Sequence, residues 1–307
     1  KEFRIESARA SWEDIVYDDS IDAVCIGTWP YMHAPMAIAA LESGKHVLCE
    51  ARMAMNSSEA HTMLEVSRMN PSLVAQIVPA PLTFRFDRVM AEMIGAGFIG
   101  DLISLDARVA LGAGFPTAST PVHWRQLREF SGNNIMVMGI FYESFMRWLG
   151  PARSVQAIGQ NVVRHRVGDD GQRVAMTIPD HIDIIGEMEQ GGQMRASVTS
   201  VSGLLPAIDI NICGTDGTLT LSDTSGTLRL MGGGRSSRKL TEVRIPRAKA
   251  LSWRVEEEFV NAIRGRESVR FTDFVTGVQY MEWTDAVSAA LRTGEKIHLP
   301  LDATLAG

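Results

Sequence analysis

The alternation of short apolar runs with helical patterns near the amino end constrains the fold more than any other feature. Two stretches with helical spacing separate three apolar runs, which are residues 22–28, 46–50 and 73–78. Right-handed crossovers place one helix between each pair of parallel strands, so this order is typical of βαβ units. The pattern predicts a three-stranded parallel sheet, with one helix at 33–43 and a second capped by Ser57 and Ser58.

The rhythm changes after the third apolar run. One helical pattern, at about 87–96, precedes seven strand-like segments between residues 102 and 231. Further helical patterns lie at 134–149, 252–264 and 273–292. The fold class predicted is α/β plus α+β: a partial Rossmann-type domain over residues 1–80, followed over residues 81–307 by an α+β domain with a large, mostly antiparallel open sheet.

Composition excludes several classes of protein. The chain has 307 residues, of which 45% are hydrophobic and 21% charged, so it can bury a large core. A net charge of −6 without a dense basic run argues against nucleic-acid binding, and no apolar run approaches the ~20 residues that span a bilayer. Cys25, Cys49 and Cys213 lie in strand-like runs, which favours free thiols and a reducing cytoplasm. No histidine or cysteine spacing indicates a metal site.

Residues 95–100, GAGFIG, have the glycine spacing of a dinucleotide-binding turn. That turn works only where it follows a strand and opens a helix, because the helix N-terminus must face the pyrophosphate. Here a helical pattern precedes the glycines and a strand pattern follows them. We therefore interpret them as a helix end and a turn. A second cluster, Gly232-Gly233-Gly234, is predicted to form an exposed loop between strands.

A succession of longer motifs points to a known family. Residues 22–55 read DAVCIGTWPYMHAPMAIAALESGKHVLCEARMAM. Further motifs follow in order: Phe84-Arg85-Phe86-Asp87, Gly97-Phe98-Ile99-Gly100-Asp101, Trp124-Arg125, Arg147-Trp148-Leu149-Gly150, Gly214-Thr215-Asp216-Gly217-Thr218 and Thr293-Gly294. Over nearly its whole length the chain resembles the glucose-fructose oxidoreductase, inositol dehydrogenase and MocA (Gfo/Idh/MocA) family. In that family a strand ends in a Thr-Pro-Asn-x-x-His turn, a helix ends in Gly-Lys-His, and Glu-Lys-Pro follows the next strand.

The resemblance implies a Rossmann domain followed by an α+β domain, in agreement with the periodicity. Family members open with a strand, a glycine-rich turn, a helix and a second strand, and an oxidoreductase interpretation expects these upstream of Lys1. It also implies NAD or NADP as cofactor, a small hydroxylated substrate (sugar-, cyclitol- or carboxylate-like), and a homodimer or homotetramer formed through the sheet of the second domain. The residues that match the family's cofactor edge are Thr28, Trp29, Pro30, His33 and Glu50.

Three positions depart from the catalytic pattern that the resemblance implies. Ala51 stands where the family has a proton-transferring lysine. Val137 and Phe141 stand where an Asp and a His, four residues apart on one helix face, would enter the cleft. We interpret these two as a stripe of core packing in preference to an apolar substrate pocket. Trp29, at the cofactor edge, either stacks on a base or plugs the site.

Other polar residues are left to carry the chemistry. His123 is a candidate for proton transfer near neutral pH, and Tyr142 with Glu143 is a candidate acid–base pair. Each has a structural alternative: a hydrogen-bonded histidine, a buried tyrosine ring, and a glutamate paired with an arginine. Arg125 either clamps a carboxylate or phosphate or pairs with Glu129. The predicted substrate-binding residues are Arg85, Trp124, Arg125 and Asn134.

These observations support three functions, in this order. The first is a nicotinamide-dependent oxidoreductase of the family, with its acid–base group taken from a new position. The second is a lyase, isomerase or hydrolase on the same scaffold that needs no nicotinamide, and the third is a non-catalytic binding or assembly protein. Whole-chain resemblance supports the first, and the three substitutions weaken it. A small molecule is the expected ligand, without a nucleic-acid or membrane partner.

Overall fold

The computed structural model describes residue 5, residues 7–110, residue 112 and residues 114–301. The outer limits of the two predicted domains, residues 1 and 307, lie outside these ranges. Within the ranges, every helix is too short or too polar to cross a membrane.

The first part of the chain forms the predicted parallel sheet. Its elements in chain order are α1 (Glu13–Val16), β1 (Ala23–Ile26), α2 (His33–Glu42), β2 (His46–Cys49), α3 (Ser57–Met69) and β3 (Ala75–Ile77). β2 lies between β1 and β3 and pairs parallel with both. Val47, Leu48 and Cys49 of β2 are all buried, as expected for a strand covered on both faces. The βαβ prediction is confirmed.

The cap of α3 differs from the prediction. Asn56 is the capping residue: its backbone is extended, and its side chain accepts the N–H of Glu59 at 2.9 Å. Ser57 lies in the first turn, where its N–H donates to the carboxylate of Asp285 at 2.6 Å. Asn and Ser cap equally well, so the position of the cap was ambiguous in sequence, and a distant carboxylate settles it.

The second part contains a nine-stranded sheet among its described residues. Its elements are α4 (Phe84–Gly95), β4 (Leu102–Val109), α5 (Arg128–Ser131), α6 (Met138–Leu149), β5 (Ala152–Gln160), β6 (His165–Val167), β7 (Arg173–Ala175), β8 (His181–Met188), β9 (Gln193–Thr199), β10 (Ile208–Gly214), β11 (Gly217–Thr224), β12 (Thr227–Gly234), β13 (Thr241–Glu242), α7 (Val255–Ile263), α8 (Phe274–Thr293) and β14 (Ile297–His298). The strand order is β13-β12-β11-β10-β4-β9-β8-β5-β14, in which β4 and β9 pair parallel and the other described pairs are antiparallel. The large, mostly antiparallel sheet is confirmed.

The two glycine clusters have different outcomes. α4 ends at Gly95, and Gly97 and Gly100 after it have φ of +80° and +66°, which L side chains rarely adopt. The interpretation as a helix end and turn is confirmed. The loop predicted at Gly232-Gly233-Gly234 is wrong, because these residues end β12 and pair with β11.

Two helices from the end of the chain join its two parts. α8 packs on α3 and β3 of the first part and on α6 and β5 of the second, and its Trp283 stacks on Tyr142 with ring centroids 4.1 Å apart. α7 returns to the first sheet, where Val255 and Phe259 pack with Leu48. The first sheet is thus covered partly by residues that follow the second sheet, which division by sequence does not anticipate.

Phe141→Ala is expected to destabilise the fold by about 3–5 kcal/mol, because a ring that is 1% exposed leaves a cavity when removed. Denaturant unfolding measures the loss. Phe130→Ala removes the same ring from a half-buried position and is expected to cost under about 2 kcal/mol. Equal losses in the two variants would contradict the assignment of Phe141 to the core.

Candidate active site

The carboxyl edge of the first sheet presents three residues predicted to border the cofactor. Thr28 and Trp29 follow β1, and Glu50 follows β2, so they lie where ligands bind in open parallel sheets. All three side chains are exposed. No atom lies within 4 Å of the position that a Cβ on Gly27 would take, so the backbone is open to close approach. These residues fit the nicotinamide nucleotide that the resemblance implies.

His33 and Pro30 lie beneath this edge, where both are buried. His33 Nδ1 lies 2.8 Å from the carbonyl oxygen of Arg52, and Nε2 lies 3.0 Å from that of Thr28. The ring therefore ties the end of β1 to the segment after β2. The predicted direct contact of His33 with a cofactor is corrected: with no exposed surface, the residue positions the edge.

An aromatic cluster joins the cofactor edge to the second part of the chain. Trp29 stacks on Trp124 with ring centroids 6.0 Å apart and packs edge-on against Phe130 at 4.7 Å. Tyr31 lies 5.7 Å from Phe130. The guanidinium carbon of Arg125 lies 4.1 Å from the centroid of the Trp124 ring, a cation–π contact. Trp29 thus packs against other aromatic rings of the protein, with 42% of its surface still exposed.

A cavity of about 560 Å³ has Arg125 in its lining, and Arg125 also belongs to the aromatic cluster. The volume is that of a small-molecule site. Burial lowers the pKa of Arg125 and the charge of Glu50 opposes that shift, so the cofactor edge acts electrostatically on the cavity. The lining combines polar residues with apolar ones, among them His123, Arg166, Asp180, Met136, Val137, Val163, Met176 and Ile178.

His123 lines the cavity and caps the short 3-10 helix Trp124–Gln126. The ring Nδ1 accepts the backbone N–H of Arg125 at 3.2 Å, and the backbone N–H of His123 donates to the side-chain oxygen of Gln126 at 3.0 Å. Burial lowers the pKa of His123, with the charge of Arg125 acting in the same direction, so the ring is neutral at neutral pH. Nε2 is the nitrogen left for a ligand.

The three positions that depart from the family pattern carry no ionisable group into the site. Ala51 is half-buried, Val137 lines the cavity, and Phe141 is buried in the core. The core interpretation of the apolar stripe therefore holds for Phe141, whereas Val137 faces the space that the alternative interpretation proposed.

Arg52 is the residue of this region that sequence reasoning missed. It is 4% exposed, and its Nε donates to Oδ1 of Asn134 at 2.6 Å. Asn134 donates in turn to the carbonyl oxygens of Ala54 at 3.0 Å and Ser131 at 2.7 Å. The predicted substrate contact of Asn134 is corrected, because its amide is fully occupied in orienting Arg52. The available signal was a charged residue at the head of an apolar run, Arg52-Met53-Ala54.

Tyr142 and Glu143 do not line the cavity. The hydroxyl of Tyr142 accepts the N–H of Ala152 at 2.8 Å, and burial raises its pKa. Glu143 is 2% exposed and accepts hydrogen bonds from Arg147 and Thr272, both at 2.6 Å. Burial raises the pKa of Glu143, and the charge of Arg147 opposes that shift. The predicted acid–base pair is corrected: both residues have the structural roles named as alternatives.

Arg85 lies outside the cavity lining. It is exposed on α4, with its guanidinium 5.6 Å from the ring of Phe86. Its substrate contact therefore stays a prediction. In the part of the chain that the structure describes, no three His, Cys, Asp or Glu residues are grouped to hold a metal ion.

Family profiles match most of this arrangement. A profile described as "Oxidoreductase family, NAD-binding Rossmann fold" matches residues 1–76, and one described as "GFO/IDH/MocA C-terminal domain" matches residues 88–220. The chain belongs to the Gfo/Idh/MocA family.

Curated relatives include two dehydrogenases. Trans-1,2-dihydrobenzene-1,2-diol dehydrogenase of Mus musculus is 25% identical over 207 residues, which cover 67% of this chain and 57% of the relative. Levoglucosan dehydrogenase of Pseudarthrobacter phenanthrenivorans is 23% identical over 244 residues, which cover 72% of this chain and 60% of the relative. The chain therefore spans less than two thirds of the length of either relative.

Solved structures share the fold. The apo form of levoglucosan dehydrogenase has a TM-score of 0.85 at 19% identity, covering 98% of this chain and 86% of its own. The WlbA dehydrogenase from Bordetella pertussis, in complex with NADH and UDP-GlcNAcA, has a TM-score of 0.73 at 19% identity, covering 95% of this chain and 84% of its own. At such identities the likeness shows the fold alone.

The buried His33 is expected to make stability depend on pH. Burial lowers the pKa of His33 in the folded chain, although its hydrogen bonds to backbone carbonyls oppose this shift. In the unfolded chain the pKa of this histidine is about 6.5, so below that pH the unfolded state binds more protons than the folded state. Stability is therefore full above that pH and falls as pH drops through the folded pKa. His33→Gln is expected to be less stable than the original chain at pH 7.5, by about 1–3 kcal/mol. Between pH 7.5 and 5 its free energy of unfolding is expected to fall less than that of the original chain.

Denaturant midpoints at the two pH values measure both effects. His298→Gln, a change at an exposed histidine, is the matched control and is expected to keep the pH dependence of the original chain. A pH dependence of His33→Gln as steep as that of the original chain would show that His33 is not the group responsible.

Proposed function

We propose that this chain forms the catalytic part of an NAD- or NADP-dependent dehydrogenase that acts on a small hydroxylated molecule. The observation that carries the proposal is the stacking of Trp29 on Trp124, because Trp29 follows β1 at the cofactor edge and Trp124 carries Arg125, a residue of the cavity lining. One relative is named for a dihydrobenzene diol and another for levoglucosan, which supports a hydroxylated substrate. Two solved neighbours, a levoglucosan dehydrogenase and the WlbA dehydrogenase, are complexes with NADH, which supports NAD as the cofactor.

Proton transfer is the part of the reaction that the protein itself must supply. When bound, the nicotinamide supplies the hydride acceptor for the carbon that bears the reacting hydroxyl. That hydroxyl must also lose a proton, and Ala51, Val137 and Phe141 cannot accept it. We assign the role to Nε2 of His123. Nε2 can accept this proton only in the tautomer whose own ring proton is on Nδ1. In that tautomer Nδ1 no longer accepts the N–H of Arg125, a hydrogen bond that is long at 3.2 Å.

Three free cysteines support the localisation part of the proposal. Cys49 is buried, and burial raises the pKa of its thiol, which keeps it protonated and unreactive. Such thiols suit a reducing compartment, and we propose that the protein works in the cytoplasm.

In the natural protein that carries this chain, saturating NADH or NADPH is expected to raise the melting temperature, since a ligand at 100 times its Kd stabilises by about 2.7 kcal/mol. His123→Ala is expected to lower kcat for NAD(P)-linked oxidation by about 10²–10⁴-fold, because it removes the proton acceptor. The nucleotide-induced shift is expected to be unaffected. Thermal denaturation and nicotinamide absorbance measure the two effects.

His298→Ala, which removes an exposed histidine of β14, is the matched control and is expected to keep full turnover. A melting temperature that responds to neither nucleotide would refute the cofactor assignment. Turnover without added nucleotide would favour a lyase, isomerase or hydrolase on this scaffold.

We infer that two copies of the protein associate through the outer face of the nine-stranded sheet. Ile158 and Ile185 lie diagonally on this face and are 72% and 52% exposed. A groove of about 480 Å³ runs along the same face, where Arg195 pairs with Asp106 at 2.7 Å. A face that mixes apolar residues with both charges can pair with itself, as a two-fold interface requires.

Ile185→Glu is expected to convert the assembly to monomers, because it buries a charge at the centre of a self-paired face. Sedimentation measures the mass. Ile103→Glu, at a residue that is 54% exposed but does not line the groove, is the control and is expected to leave the mass unchanged. A monomeric original protein would contradict the inferred interface.

A further inference from the structure

Arg52 is a buried cation that lacks an anionic partner. Its Nε donates to Asn134, and no described residue accepts a hydrogen bond from its other guanidinium N–H groups. Asn134 is itself 1% exposed and is fixed by two backbone carbonyls, so its oxygen is held toward the arginine. The surroundings therefore orient the guanidinium without neutralising it.

The ionisable groups near Arg52 leave its charge uncompensated. Burial lowers the pKa of Arg52 to about 10, with the charge of Arg125 acting in the same direction, so the residue stays protonated at neutral pH. The hydroxyl of Tyr280 accepts the N–H of Met53 at 2.5 Å, and burial raises the pKa of this tyrosine, so it is neutral. An unpaired buried charge costs several kcal/mol, which a bound anion would offset.

Arg52 lies against the helix turn that borders the cavity. Its Cδ is 3.0 Å from the position that a Cβ on Gly139 would take, in the first turn of α6. Met136 and Val137, just before that turn, line the cavity together with Arg125. Arg52 is not itself among the residues that line the cavity. The two arginines approach the same end of α6 from different segments of the chain, Arg125 from inside the cavity and Arg52 from behind its wall.

The other charged groups of the lining are one carboxylate and one further arginine. Asp180 accepts the N–H groups of Val162 and Val163, both at 2.8 Å, so the backbone holds its oxygens while its single negative charge stands against the two arginines. Arg166 adds a further cation to the lining. The negative charge of Glu50, at the cofactor edge, acts on Arg125, although the two side chains form no ion pair among the described residues. The cavity thus has an excess of positive charge and an otherwise largely apolar wall.

We propose that the cavity binds a substrate that carries a carboxylate, held by Arg52 and Arg125, while the body of the molecule packs on Met136 and Val137. The proposal rests on the proposed function and names its substrate class: a hydroxy acid whose hydroxyl faces His123. A guanidinium offers two parallel N–H groups to the two oxygens of a carboxylate. An aspartate at position 137 would pair with these arginines internally, whereas Val137 leaves them for the ligand.

Matched pairs of an acid and the neutral alcohol with the same body isolate the contribution of the carboxylate. The probes are D-glucuronate with D-glucose, benzoate with benzyl alcohol, and cyclohexanecarboxylate with cyclohexylmethanol. Titration calorimetry on the natural full-length protein, without nucleotide, is expected to show at least one acid binding about tenfold or more tightly than its alcohol. Preference for an acid in none of the three pairs would overturn the proposal.

Two kinds of variant assign the effect to these residues. Arg52→Gln is expected to remove most of the preference for the acid, and Arg52→Lys to keep part of it, because the charge remains without the two-pronged geometry. Val137→Asp is expected to abolish the preference by occupying the arginines, and Val137→Asn, of the same shape but uncharged, to weaken it less. Equal losses in the two Val137 variants would overturn the proposal.

Three further measurements complete the design. Arg88→Gln, at an exposed arginine of α4, is expected to leave the preference unchanged. Tighter binding of glucose 6-phosphate than of glucuronate would overturn the carboxylate assignment in favour of a phosphate. The nucleotide-induced thermal shift is read separately: a shift without acid preference refutes this inference alone, and acid preference without a shift refutes the proposed function alone.

Discussion

The buried guanidinium of Arg147 fixes how the two parts of the molecule meet. From α6 it reaches the carboxylates of Glu143 at 2.6 Å and Asp87 at 3.0 Å, and it donates to the carbonyl oxygen of Ala80, just after β3, at 3.0 Å. Glu143 accepts the N–H of Ala80 at 3.1 Å in return. Desolvation offsets most of what such ion pairs contribute, so we interpret the cluster as fixing geometry more than adding stability. The cluster ties the segment after β3 to α4 and α6.

Local patterns were sufficient to predict both sheets, because strand alternation, helix spacing and turn residues act over a few positions. The GAGFIG turn was identified correctly for the same reason. The contact of Arg52 with Asn134 was not predictable, since it joins residues 82 positions apart through the packing of α6. Tyr142 and Glu143 adjoin a position expected in the cleft, yet the helix turns them toward Trp283 and Arg147. Adjacency in sequence does not specify a helix face.

Residues that match the family pattern have different structural roles from residues that depart from it. His33 spans two strand ends, and Gly97 allows a left-handed turn, so both serve the backbone. Ala51, Val137 and Phe141 stand where ionisable groups would act on a ligand, and each is small or apolar. The architecture is therefore retained independently of the chemistry, which we have proposed to assign to His123 and to arginines on separate segments.

The return of α7 to the first sheet bears on how the chain is made. Leu48 and Val78 come from the first 80 residues, while the helix that covers them belongs to the carboxyl-terminal quarter. During synthesis this apolar surface of the first sheet therefore stays exposed until most of the polypeptide has left the ribosome. Such separation raises the entropic cost of closure and slows folding. The nascent chain is thus most prone to aggregation before its last helices emerge.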